Sequence, residues 1–333
     1  MPVASAPTRP HEIIWNLTNA VMPARSLHVI ALLGVADLID NEPVPSSELA
    51  TRCGANPEAL DRVLQLLVAQ GVFASGAAGY THTDASRLLR SDHPMSMRAF
   101  AQLMNLPVCR AAYDGLEHSV RSGAPAVELL DPGGFFAYLE SHPEEAAVFG
   151  EAMRAKAHAD IAAVLDGYDF RPFKNIADIG GGRGHLVEAV LDRVPAIQGI
   201  LFDLPEVIDT LGPASERLTR VAGDFFIDPL PTADAYVLME VLHDWSDRDA
   251  TRILRAIRRA CTPGATVLII EDVLPEDVAD SRARILDVVM LIVTGGRERS
   301  SGQFARLLHT AGFQPSAVIE TAGAMRIVEG IAV

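Results

Sequence analysis

The stretch Asp178-Ile179-Gly180-Gly181-Gly182-Arg183-Gly184 follows the apolar run Asn175–Ile179 and opens the helical stretch His185–Val194. Strand, glycine turn and helix in that order make a nucleotide-binding turn. Glycine lets backbone N–H groups approach a ligand with no Cβ in the way, and the helix start adds partial positive charge. Two nucleotide classes fit poorly. Counted from Gly180, the sixth position of G-x-G-x-x-G is His185, and a phosphate loop would need Gly-Lys-Ser/Thr where Gly184-His185-Leu186 stands. What remains is an acidic residue before the turn and another, Asp203, closing the next apolar run Gly199–Phe202. Carboxylates at those points suit a ligand with a ribose and a cationic end.

Outward from this turn, short β-rich runs alternate with helical stretches: Asn175–Ile179, Gly199–Phe202, Ala235–Met239 and Thr266–Glu271 read as strands. That alternation predicts a parallel sheet covered on both faces, an α/β fold, with ligands outside the carboxyl ends of the strands. Gly180, Asp203, Asp224 and Glu240 all fall at or just past such ends, so one pocket can collect them.

Residues 11–165 read differently, as mostly helical, with a linker at Tyr168–Pro172 and a second domain over 170–333. Leu60, Val63, Leu64, Leu67 and Val68 share one helix face, and Asn56-Pro57-Glu58 is a helix start. The apolar stretch Ser26–Ile39 reads as another helix. Gly71-Val72-Phe73, a turn at 76–79 and Tyr80–Thr83 predict a hairpin, giving a winged-helix pattern. Within 46–90 the acids Glu48, Glu58, Asp61 and Asp84 balance Arg52, Arg62, Arg87 and Arg90, leaving no basic face for duplex DNA. The Pro-rich opening reads as a disordered tail.

Composition narrows the classes. A chain of 333 residues, 49% hydrophobic, buries a sizeable core, and a net charge of −15 opposes binding to a phosphate backbone. Cys53, Cys109 and Cys261 form no C-x-x-C pair, so neither a disulfide framework nor a zinc site is expected. No secretory leader and no apolar run of membrane-spanning length is expected, which points to the cytoplasm.

Six ordered blocks resemble one family: Asp178–Gly184, Phe202-Asp203-Leu204-Pro205, Gly223-Asp224-Phe225-Phe226, Leu242-His243-Asp244-Trp245-Ser246-Asp247, Pro263-Gly264, and Gly295-Gly296-Arg297-Glu298-Arg299. They resemble the S-adenosylmethionine-dependent O-methyltransferases of the plant caffeic-acid and bacterial polyketide or hydroxyindole type, most clearly over 175–330. The resemblance implies a Rossmann-like class I methyltransferase domain behind an N-terminal, mainly helical, winged-helix-like dimerisation domain. It also implies a homodimer and S-adenosylmethionine as cofactor, leaving as S-adenosylhomocysteine, with no metal. In that frame Asp178, Gly180 and Gly182 form the cofactor turn. Asp203 accepts the ribose hydroxyls, unless it merely caps its loop. Asp224 accepts the adenine amino group, and Phe225 stacks on the ring or belongs to the core. Glu240 stands where plant members carry Lys.

At the reacting end the resemblance implies His243 as general base, flanked by Glu271 and Glu298. A phenol with a pKa of about 10 is mostly neutral at physiological pH, so a base is useful, and an ordinary imidazole near 6.5 is unprotonated often enough to serve. A carboxylate on the far ring N–H would fix the tautomer. Asp244 orients substrate or caps its turn. Met104, Asn105, Phe149, Met153, Met290 and Val293 match positions lining the acceptor pocket, although the methionines fit ordinary helical core equally. The implied acceptor is a small aromatic hydroxyl compound. The rival readings are N- or C-methylation, which needs no base, a tailoring enzyme that keeps the cofactor, and a winged-helix regulator.

Overall fold

The computed structural model describes residues 9–275 and 281–333; the Pro-rich opening through residue 8 lies outside the described residues. Contacts divide the chain differently from the linear split at 165–170. One unit runs up to Pro107 and includes Pro143–Ala155, and the other joins Val108–His142 to Lys156–Val333. The reason lies in packing: the helix Ser281–Val293 contacts the helix Leu116–Ser122 and the 3-10 turn Ala126–Leu129, which draws 108–142 into the second unit.

In the first unit, helix Pro10–Asn19 buries none of its residues and exposes Ile13, Ile14, Trp15 and Leu17. The expected helix 26–39 is two elements, helix Val21–Leu33 and the 3-10 turn Val35–Leu38. Gly34 stops the first at φ +65, a left-handed conformation that glycine adopts without a Cβ penalty. Helices Ser46–Cys53 and Pro57–Ala69 precede the hairpin β1 (Phe73–Gly76) and β2 (Gly79–His82). Asn56 caps the second helix by accepting from the Ala59 amide at 3.0 Å. Ile30, Val35, Ile39, Leu49, Leu64, Leu67 and Phe73 form this unit's core.

The second unit holds a seven-stranded sheet in the order β5-β4-β3-β6-β7-β9-β8. Its strands are β3 (Asn175–Ile179), β4 (Gln198–Asp203), β5 (Leu218–Ala222), β6 (Ala235–Met239), β7 (Thr266–Glu271), β8 (Phe313–Glu320) and β9 (Arg326–Ala332). The first five pair in parallel, while β9 runs antiparallel to both β7 and β8. Alternate side chains serve opposite faces. Tyr236 and Leu238 of β6 pack with Ile253, Leu254, Phe304 and Leu308, whereas Ala235 and Val237 pack with Val164, Leu186 and Val190. The strand order reverses between β3 and β6, which opens a crevice at their carboxyl ends. Among the described residues no helix is long and apolar enough to cross a membrane.

Gly199 shows how tightly the helices press on the sheet: a Cβ there would lie 2.7 Å from Val187 Cγ2 and 3.1 Å from Leu191 Cδ1. Gly199→Val is therefore expected to cost about 1–3 kcal/mol by overpacking. Gly302→Ala, on an exposed helical position with only Arg306 nearby, is expected to stabilise by about 0.5 kcal/mol. Urea midpoints of the two variants against the parent check both signs.

Candidate active site

The glycine turn leaves β3 at the reversal point. Gly180, Gly182 and Gly184 have φ of +68, +58 and +82, so all three need the freedom of glycine. A Cβ on Gly181 would meet Asp178 Cγ at 2.5 Å, while one on Gly182 would meet nothing within 4 Å, so Gly182 faces open space. Asp203 ends β4 beside this turn. Its Oδ2 accepts from the Gly182 amide at 2.6 Å and its Oδ1 from the Leu204 amide at 2.8 Å. Each oxygen keeps a second lone pair for a hydroxyl donor. Burial pushes Asp203 above the usual carboxylate range against those two amides, and pushes Asp178 up to about 7 against the Val187 amide. Asp224 Oδ1 accepts from the Phe226 amide at 2.7 Å. The Phe225 ring lies beside Gly180 and edge-on to Phe226 and Trp245.

Beyond β6 the chain makes a 3-10 turn, Leu242–Asp244, that carries His243. Glu271, at the end of β7, reaches under it. Its Oε1 accepts from the amides of Leu242 at 2.9 Å and His243 at 3.3 Å, and its Oε2 lies 3.4 Å from His243 Nδ1. Glu298 Oε1 lies 2.9 Å from the same nitrogen. Two carboxylates at Nδ1 place the ring hydrogen there, so neutral His243 presents Nε2 as a free lone pair. Asp244 Oδ1 stands 3.9 Å from Nε2. Glu271 and Glu298 are 0% exposed and His243 is 7% exposed. The three side chains bring ligand atoms within 4.8 Å of one another.

The charge state differs from the expectation of an ordinary imidazole near 6.5. Burial alone would lower His243, but the charges of Glu271 and Asp244, together with the hydrogen bond and charge of Glu298, outweigh it and hold the ring well above its usual value. Burial raises Glu271 as well, with His243 opposing. Asp244 is raised to about 6, by burial against the pull of His243. The cluster thus stabilises the imidazolium and makes the ring a stronger base than an ordinary imidazole.

Glu240 is the one non-glycine among the described residues in the left-handed region, at φ +55. Its carboxylate is engaged by Lys156 from the helix Pro143–Gly167, and both side chains are 14% exposed. Burial favours a neutral Glu240, yet the charges of Lys156 and His243 hold it below its usual range. Sequence reading missed Lys156; its signal was rarity, since the chain has two lysines, Lys156 and Lys174. The other acceptor candidates divide between the units. Met104, Asn105, Phe149 and Met153 belong to the first and are half-buried, whereas Met290, Val293 and Asp244 belong to the second. A second missed residue, Arg25, donates through Nη1 to Asn105 Oδ1.

Comparison with known proteins gives two family matches: an O-methyltransferase domain over residues 113–314 and an O-methyltransferase dimerisation domain over residues 15–92. Among curated proteins the chain is similar to phenazine O-methyltransferase PhzM of Lysobacter antibioticus, 38% identical over 96% of this chain and 95% of that one. Among solved structures it is similar to human N-acetylserotonin methyltransferase in complex with S-adenosylmethionine, with a TM-score of 0.91, 26% identity and 99% of each chain covered. A further solved relative is an O-methyltransferase from neocarzinostatin biosynthesis, in complex with S-adenosylmethionine and 2-hydroxy-5-methyl naphthoic acid. It has a TM-score of 0.77 and 33% identity, over 94% of this chain and 96% of that one.

A proton titration of the ring tests the electrostatics directly. In cofactor-free protein with labelled histidine, the His243 resonance, assigned by its loss in His243→Asn, is expected to titrate above neutrality. Glu298→Gln removes a negative partner from a cation, so the midpoint is expected to fall by about one unit, which is about 1.4 kcal/mol. A His243 midpoint below 6.5 in the parent would contradict the charge balance.

Proposed function

Because the chain belongs to the S-adenosylmethionine-dependent O-methyltransferases, we propose that it methylates a phenolic or enolic hydroxyl of a small aromatic natural product, with His243 as general base. The observation that carries this reading is the ring held at Nδ1 by Glu298 and Glu271, which leaves Nε2 as its open nitrogen. An amine or carbon acceptor that is already nucleophilic would have no use for such an arrangement.

Gly180, Gly182, Asp203, Asp224 and Phe225 would hold the cofactor, and the residues fit it. Three left-handed glycines leave backbone exposed at the turn, and Asp203 retains acceptor lone pairs beside them. When bound, S-adenosylmethionine supplies a methyl group activated by its positive sulfur. The chain's own task is to orient the acceptor and take its proton at Nε2. Glu271 and Glu298 stabilise the imidazolium as it forms, a contribution of the kind worth about 10²–10⁴ in rate for general-base help. No metal takes part in this scheme.

Within the first unit, Arg25 Nη1 donates to the amide oxygen of Asn105, and the N–H groups of this pair suit a ligand oxygen. We read the exposed apolar residues of the first helices, Ile13, Ile14, Trp15, Leu17, Val21 and Met22, as a face for a second copy of this chain, in keeping with the dimerisation match. Cysteines without disulfides suit a cytoplasmic protein.

His243→Ala is expected to lower kcat by about 10²–10⁴ while leaving the cofactor Kd almost unchanged, measured by methyl-labelled turnover and by calorimetry. Loss of cofactor binding in that variant would make His243 a scaffold residue. Asp203→Ala is expected to do the reverse, weakening cofactor binding by about 10–100-fold through lost charge-assisted hydrogen bonds. Turnover is expected to survive dialysis against a chelator.

A further inference from the structure

Arg299 has one of the largest fully buried side chains of the described residues, at 0% exposure. Its guanidinium spans the turn that carries the imidazole ring. Nη1 donates to Leu242 O at 2.7 Å, Nη2 to Trp245 O at 2.7 Å, and Nε to Asp247 Oδ1 at 2.9 Å. Leu242 and Trp245 bracket His243-Asp244, and Asp247 starts the helix Asp247–Ala260. The neighbouring residues complete the grip. The Arg297 amide donates to His243 O at 2.7 Å, the Glu298 amide donates to Asp287 Oδ1 at 2.9 Å, and Arg299 O accepts from the Leu274 amide at 2.9 Å. A side chain on Gly296 would collide with His243 O, so glycine is what lets the two segments lie in contact.

We infer that Arg299 is a positioning residue for the methyl transfer: its planar fork fixes the carbonyls of the 242–247 turn, while Glu271 fixes the amides, and together they aim Nε2 at the acceptor. The inference rests on His243 as the base. Two physical points support it. A fully buried guanidinium is costly unless its donors are met, and here carbonyls and a carboxylate meet them in a geometry that only a planar fork can satisfy at once. Its positive charge also lowers the proton affinity of Glu271, opposing the burial that raises it.

The charged groups around His243 come from several elements. They are Asp244 on its own turn, Glu240 after β6, Glu271 at the end of β7, Glu298 and Arg299 from the 295–299 segment, and Lys156 behind Glu240. Removing the Arg299 charge raises the proton affinity of the whole group, so base-competent enzyme appears at higher pH. Arg299→Lys keeps the charge and loses the fork; Arg299→Gln loses both.

The test measures kcat against pH, cofactor Kd and the His243 titration in cofactor-free protein for both variants. Arg299→Lys is expected to lose about tenfold or more in kcat, with cofactor Kd and the acid limb of the profile unmoved. Arg299→Gln is expected to lose more, with its acid limb and its His243 titration both shifted to higher pH. Asp247→Ala, at a half-exposed side chain, removes one anchor of the fork without a cavity in the core and is expected to lower kcat several-fold, with a small fall in melting temperature from the unmet Nε donor. Parent-like kcat in Arg299→Gln overturns the inference, as does a kcat loss matched by lost cofactor binding with the titration unmoved. Should Arg299→Gln fail to fold, parent-like kcat in Asp247→Ala overturns it. Failure of the base itself shows separately, as parent-like kcat in His243→Ala.

Discussion

An imidazole that must carry a proton where water barely reaches constrains everything near it. Burying a charge is costly unless opposite charge and hydrogen bonds replace the lost solvent. Two carboxylates beneath the ring supply the charge, but they are themselves buried, so they need partners in turn. Glu271 finds two backbone amides of the His243 turn, and Arg299 closes the set by taking that turn's carbonyls. The network meets one oxygen of each glutamate with hydrogen bonds, while Oε2 of Glu271 and of Glu298 are buried without one. The position of one nitrogen follows from those bonds.

The sheet supplies the platform on which this is possible. Parallel strands β3 and β6 lie side by side at the order reversal, so the turns after them open onto one crevice, with Gly180 on one side and His243 on the other. Register then brings in the next strand: Met239 of β6 pairs with Ile270 of β7, and the Glu240 amide donates to Ile270 O at 3.0 Å. Glu271 therefore ends beside the residue where the His243 turn begins. The chemistry uses the ends of neighbouring strands because a doubly wound sheet collects them there.

Much of this was legible in the sequence. The runs at Asn175–Ile179, Ala235–Met239 and Thr266–Glu271 are short and β-rich, and they match β3, β6 and β7 residue for residue. Three strands were missed: β9, whose apolar run is broken by Glu329-Gly330, and two with weaker signals. β8 is mostly exposed and contains Pro315, and β5 includes Thr219 and Arg220. The helix over 26–39 looked continuous because Gly34 is tolerated in a helical pattern, whereas its left-handed φ is what ends the element. His243, Glu271 and Glu298 were named from their blocks. Their charge state could not be, since it depends on carboxylates 28 and 55 residues away along the chain meeting one ring nitrogen. Lys156 belongs to a long helix with no single apolar stripe, so nothing in its spacing marked it as the partner of Glu240.

The antiparallel strand β9 lies along the outer side of β7 and so keeps that strand from being an edge. Its pairing of Arg326 with Glu271 continues to the last residue of β7, and the Glu271 side chain is buried. Glu271 and Glu298 are 0% exposed, so the 7% exposed ring of His243 is where this trio meets solvent. A hydrogen ion exchanged by the two glutamates thus has its shortest way to water along the imidazole, which couples their titration to that of the ring.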